Sequence, residues 1–172
     1  MSSAAKALAT ELDAEFPITR RVLERVPTDR LAWQPHAKSM SLGQLAHHLA
    51  VIPGSVAKFA QIDGFDVATR PSTYASGESA SAILATFDQS VEAMKASLAT
   101  MEDDGAAATW RMTFGPREIF ARPRISVMRM MCLNHMIHHR GELVVYLRLL
   151  EVPVPVVYGR SADENPWAQP AA

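Results

Sequence analysis

The chain is poor in the features that mark several large classes of protein. Cys132 is the one cysteine among its 172 residues. A single thiol cannot build an internal disulfide framework, which excludes the small stapled domains of secreted proteins. Lysine and arginine number 17 against 18 aspartates and glutamates, a formal net charge of −1. That balance offers no global positive field to attract phosphate backbones, so nucleic acid is not an expected partner. A membrane span needs a run of about 18 or more apolar residues, and no such run occurs, so no membrane partner is expected either. The opening residues MSSAAKALATELDAEF are acidic and amphipathic, unlike a signal peptide. Together these absences point to a reducing, cytoplasmic setting.

What the chain does have is apolar residues at helical spacing. Hydrophobic residues make up 48% of the composition, enough for a core in one domain covering residues 1–172. Leu8, Leu12, Phe16, Thr19, Leu23 and Val26 recur every three or four residues and predict a first helix from about Ser3 to Val26. Pro17 lies inside it and predicts a kink. A second helix opens at Ser41, where Ser41 and Gln44 have the spacing of a capping box. Its apolar face runs through Leu42, Leu45, Leu49, Ile52 and Val56 to Phe59, with a bend expected at Pro53-Gly54.

A loop is expected from about Asp63 to Ser76. Ile83, Phe87, Val91, Met94, Leu98 and Met101 then mark a third helix, stopped by Asp103-Asp104-Gly105. Trp110, Met112 and Phe114 alternate before Gly115-Pro116, the pattern of a small hairpin or structured loop. A fourth, strongly apolar helix spans about Ile125 to Leu150, and Pro153 and Pro155 prevent its continuation into a loop-like tail. Four long helices around one core predict an all-α four-helix bundle.

Histidine distribution gives the chemical signal. Of six histidines, five fall in two clusters: His47-His48, and His135 with His138-His139. Positions i and i+4 share a helix face. His135 and His139 therefore lie together on the stripe Met128, Cys132, His135, His139, Leu143, Tyr146, and His138 flanks it. On the second helix His48 falls three residues after Leu45 and four before Ile52, at the edge of the apolar face, whereas His47 points away. His36 stands in a loop with no assigned role.

Three inward imidazoles suit a divalent metal with a coordination position left open. Burying them without partners is costly, which favours a shared ligand over three isolated core histidines. Cys132, one turn before His135, is either a fourth ligand or a small buried hydrophobe, and the second reading is preferred. Glu142 is a candidate acceptor for a liganding imidazole, and Tyr146 a further supporting residue. Arg140 reads as a helix-surface charge, and the methionines Met128, Met130, Met131 and Met136 as core packing.

These residues resemble the DinB-like family of metalloenzymes. Ser41-Leu42-Gly43-Gln44-Leu45-Ala46-His47-His48-Leu49-Ala50 is similar to its second-helix motif. Leu133-Asn134-His135-Met136-Ile137-His138-His139-Arg140-Gly141-Glu142-Leu143 is similar to its His-x-x-x-His-Arg-Gly motif. The segment Val154 to Glu164 resembles the end of one branch, which often has proline where this chain has Arg160. The resemblance implies an up-down-down-up bundle, with the loop from Asp63 to Ser76 as the crossover. It also implies a Ni²⁺ or Zn²⁺ site on His48, His135 and His139, and a homodimer.

Similar proteins include S-transferases that use bacillithiol or mycothiol, and a thiol-dependent maleylpyruvate isomerase. The expected function is therefore a metal-dependent enzyme acting on a small-molecule substrate, with thiol transfer preferred and a low-molecular-weight thiol as cosubstrate. The alternatives are a metal-dependent hydrolase and a non-catalytic metal-binding stress-response dimer.

Overall fold

A computed structural model of the chain describes residues 1–69 and 73–168. Pro71, expected within the crossover loop, and the last four residues of the tail lie outside them. The chain is mostly helical: α1 (Ser3–Leu23), α2 (Leu42–Ala57), α3 (Ala80–Ala99), a short α4 (Asp103–Ala107), α5 (Arg124–Met128) and α6 (His135–Leu149). A π-helical segment, Arg129–Asn134, joins α5 to α6, so the expected fourth helix is continuous but not uniformly α.

The all-α expectation is corrected by a three-stranded sheet. β2 (Thr109–Phe114) and β3 (Arg117–Pro123) form the antiparallel hairpin that the alternation at Trp110, Met112 and Phe114 suggested. Gly115 turns it with φ of +55°, a backbone conformation that suits glycine. β1 (Gly64–Asp66) pairs parallel with β2, giving the order β1-β2-β3. The segment between α2 and α3 is thus partly built into the sheet.

Local chemistry explains the helix starts. Ser41 accepts from the Gln44 amide, and Gln44 reaches back to the Ser41 amide, so the capping box forms as expected. Ser2 and Ser79 cap α1 and α3 in the same way, each accepting an amide three residues on. Neither Pro17 nor Pro53 ends its helix; α1 and α2 run through them. Each proline forgoes one helical hydrogen bond, and tertiary contacts offset the loss. Phe16 packs edge-on against Phe87, and Arg20 bonds Asp88 through both Nε and Nη2. Gly54 lets α2 approach α3 closely: a Cβ there would lie 3.2 Å from the Ser90 Cα.

Paired contacts fix the helix directions. Along α1 and α3, Ser2 meets Met101, Asp13 meets Lys95 and Arg20 meets Asp88, so the two are antiparallel. Gly54 lies on Ser90 and the Ala57 carbonyl accepts from Ser97, so α2 and α3 run parallel. His48 meets His135, while Met40, just before α2, bonds Tyr146, so α2 and the last helix are antiparallel. The main core lies among these four, with Leu12, Leu45, Leu49, Phe87, Met94, Met128 and Leu143 at 0 or 1% exposure. A second, smaller core of Trp110, Met112 and Val127 sits under the sheet. No helix among the described residues is long and apolar enough to cross a membrane.

Candidate metal centre

α2 and α6 bring the histidines together. Met128, Cys132, Met136, Leu143 and Leu147 are buried on the inner face of the last helix, and this leaves His135 at the edge and His139 inside. On α2 the burial of Leu45, Leu49 and Ile52 carries His48 to 6% exposure. The Nε2 atoms of His48 and His135 are 3.4 Å apart, and those of His135 and His139 2.7 Å. His48, His135 and His139 thereby each offer a ring nitrogen within 4.8 Å of the other two.

This donor set fits a divalent ion. Nitrogens about 2.0–2.1 Å from a tetrahedral metal are separated by about 3.3 Å; the His48–His135 spacing of 3.4 Å matches this, and the His135–His139 spacing of 2.7 Å is shorter. Chemistry supports the same reading. His139 Nδ1 lies 2.6 Å from Glu142 Oε2. The carboxylate is acceptor-only when ionised, so it selects the tautomer with the proton on Nδ1 and leaves the Nε2 lone pair bare. Two bare Nε2 lone pairs at 2.7 Å would repel, so a proton or a shared cation must join His139 to His135.

The flanking histidines stay apart from this triad. His138 has a 63% exposed side chain and lies 3.4 Å from the other Glu142 oxygen. His47 is half-buried on the side of α2 that meets Gly77. His36 accepts from the Lys38 amide in its loop. Cys132 belongs to the main core and joins no ligand cluster among the described residues. Burial pushes its thiol up to about 12, which disfavours the thiolate form and fits a small buried hydrophobe. Tyr146 bonds the Met40 carbonyl and packs edge-on against Trp33, which makes it a strut between elements rather than part of the site.

Periodicity did not find three features. Tyr74, from the segment between β1 and α3, packs edge-on over His48 with ring centroids 4.9 Å apart; the Gln44 side chain holds its carbonyl. The second is a cavity of about 330 Å³ beside the triad, reaching His48 and His135. Its walls include Val51 and Ile52 of α2, Phe59, Phe65, Met112 and Met131. Met131 is thus a wall residue, while Met128 and Met136 pack the core as expected.

The third feature corrects the reading of Arg140, which is not a surface charge. It is 1% exposed and its guanidinium reaches Glu15 (2.6 Å), the Thr19 hydroxyl (3.1 Å) and the Tyr158 hydroxyl (2.7 Å). Tyr158 in turn donates to Glu15 at 2.9 Å. A signal existed in the sequence, because Arg140 directly follows an inward histidine and Tyr158 falls in the patterned tail.

The model of the DinB family matches residues 1–169. The chain belongs to the DinB family. Two solved structures are similar to it. A DinB-like protein from Bacillus cereus ATCC 10987 has a TM-score of 0.69 at 20% identity, covering 89% of this chain and 97% of that one. A DinB-like protein from Bacillus subtilis has a TM-score of 0.62 at 17% identity, covering 86% and 95%. At those identities the likeness carries the fold. No curated protein matches the chain.

Proposed function

We propose that this DinB-family chain is a metal-dependent enzyme that holds Ni²⁺ or Zn²⁺ on His48, His135 and His139 and transfers a low-molecular-weight thiol to a small electrophile. The observation that carries the reading is the convergence of three imidazoles beside an apolar cavity that His48 and His135 line. A divalent ion bound there supplies a Lewis acid with an open position, which favours the deprotonated form of a thiol or a water.

The chain's own residues do the remaining work. Glu142 holds the Nδ1 proton of His139 and so keeps the ring's tautomer and orientation. Tyr74 covers His48 from outside. Apolar walls exclude water from the space where the electrophile sits, which strengthens electrostatic interactions within it. Sulfur forms the new bond to carbon while the leaving group departs with its electron pair, and the thiol proton passes to solvent. Cys132 cannot supply that sulfur, since it is fully buried with its thiol raised to about 12. The thiol is therefore a cosubstrate such as bacillithiol or mycothiol.

The helix directions support an up-down-down-up bundle: α3 opposes α1, α2 parallels α3, and the last helix opposes α2. Val145 and Leu149, more than half exposed on the outer face of α6, give an apolar strip for a second copy in a homodimer. The deciding experiment is elemental analysis of tag-free protein, followed by turnover assays with thiols and electrophiles. Stoichiometric metal and metal-dependent loss of thiol are expected. Metal without turnover on thiol, ester or amide panels would leave a binding module in place of an enzyme.

A further inference from the structure

We infer that the cavity beside the histidines selects an elongated substrate with an apolar body and an anionic far end, held there by Lys58. The inference rests on the metal-centre reading only for which end of the substrate reacts. Its basis is the placement of groups along α2. His48, Val51, Ile52, Ser55 and Lys58 all line the cavity, at offsets of 0, 3, 4, 7 and 10 residues. These offsets trace one helix face. Ten residues at about 1.5 Å each place Lys58 about 15 Å from His48 along the axis.

Between those ends the wall is apolar. Val51, Ile52, Val56, Phe65, Met112 and Met131 face the cavity, and Ser55 adds a single exposed hydroxyl. A polar or branched ionic body would lose hydration there without gaining partners. An alkyl or aryl body loses nothing and gains from burial.

Lys58 supplies the end group. It is exposed at the end of α2, and no carboxylate among the described residues pairs with it. Nearby Asp63 is instead engaged by the buried Arg124. An ammonium on the rim of an apolar cleft favours a carboxylate, sulfonate or phosphate at that end of the ligand. The opposite end of the same ligand then lies by His48 and His135.

The test uses the protein as purified, titrated calorimetrically with octanoate, octan-1-ol and octylammonium. Octanoate has the apolar body and the anionic end but no reacting group. It is expected to bind about two- to fivefold more tightly than octan-1-ol, the scale of one charge pair at a solvent-facing rim. In Lys58→Glu the order should invert, with octylammonium tightest. Val51→Trp, at a half-buried wall position, should weaken all three ligands, and thermal melting of both variants checks that they fold.

Equal binding of octanoate and octylammonium by the wild type, or unchanged octanoate affinity in Lys58→Glu, would overturn the inference. So would full binding by a folded Val51→Trp protein. The His48→Ala/His139→Ala double variant separates this inference from the metal reading. Loss of metal with octanoate binding kept supports both. Metal kept in that variant, with the Lys58 result intact, removes the metal reading and leaves the substrate class standing. Octanoate binding lost with the metal would show that the carboxylate sits at the histidines, which overturns the placement at Lys58.

Discussion

His139 and Glu142, one turn apart on α6, form a 2.6 Å contact between Nδ1 and a carboxylate oxygen. The contact leaves the other face of the imidazole turned to His135 and His48. Glu142→Ala removes the acceptor and frees the ring to rotate or change tautomer. Metal affinity should fall about 10- to 100-fold, read by competition with a chromogenic chelator. His138 touches the other oxygen of the same carboxylate at 3.4 Å, yet His138→Ala should leave affinity within about twofold, since its own ring is outside the triad.

Single alanine substitutions should divide the clustered histidines by face. His48→Ala and His139→Ala should lose most bound metal, and His47→Ala and His138→Ala should keep it, as measured by elemental analysis after gel filtration. Equal loss in all four would mean that metal is held at the surface rather than between α2 and α6.

Much of this site was legible in the sequence because it depends on local spacing. His135 and His139 are set four apart on an apolar stripe, and the helix period alone separates them from His138. The Ser41–Gln44 capping box fixes where α2 begins, and hence the phase of His48. Arg140 was misread because a charged residue is assigned to solvent unless a partner is known. Its partners Glu15 and Thr19 lie more than a hundred residues away. β1 was missed for a similar reason: three residues carry no period, and their pairing with β2 spans 47 positions, as Gly64 with Arg111 shows.

Burial of the Arg140 guanidinium makes it a stability determinant. Arg140→Met would leave the Glu15 carboxylate, whose side chain is only 15% exposed, with the Tyr158 hydroxyl but no cation, and the Thr19 hydroxyl without its donor. The expected loss is about 3 kcal/mol, measured by urea denaturation. Tyr158→Phe removes one hydroxyl from the same network and should cost about 1 kcal/mol.

The tail should loosen in acid. Arg148 and the Val154 amide hold the Asp163 carboxyl below its usual range. The Val156 amide, with Arg21, does the same for Glu164. A carboxyl depressed in the folded state stabilises it above the unfolded pKa of about 4. That stabilisation disappears as the pH falls through the lower folded values. Hydrogen-exchange protection at Val154 and Val156, corrected for intrinsic rates, should therefore drop below about pH 4 before the α2–α6 core opens.

Cys132 should behave as an inert thiol. With its ionisation pushed up to about 12 and no exposed surface, it should not react with an aromatic disulfide reagent in the native protein at pH 8. One equivalent should react at once in denaturant. Rapid native labelling would show that the core around the site opens readily.

The π-helical turn at Arg129–Asn134 sits immediately before His135. A π turn amounts to one residue more than an α-helix would use over the same length. Because the extra residue is taken up within the turn, deleting a single residue from 129–134 would return the segment to α geometry and leave α5 and α6 in nearly the same relative phase. The hairpin side of the cavity and the two histidines of α6 are carried on one continuous helix, and the π turn gives that helix one residue of slack between them. Loss of one codon there would be absorbed, whereas loss of one between His135 and His139 would turn the second ring by about 100° relative to the first.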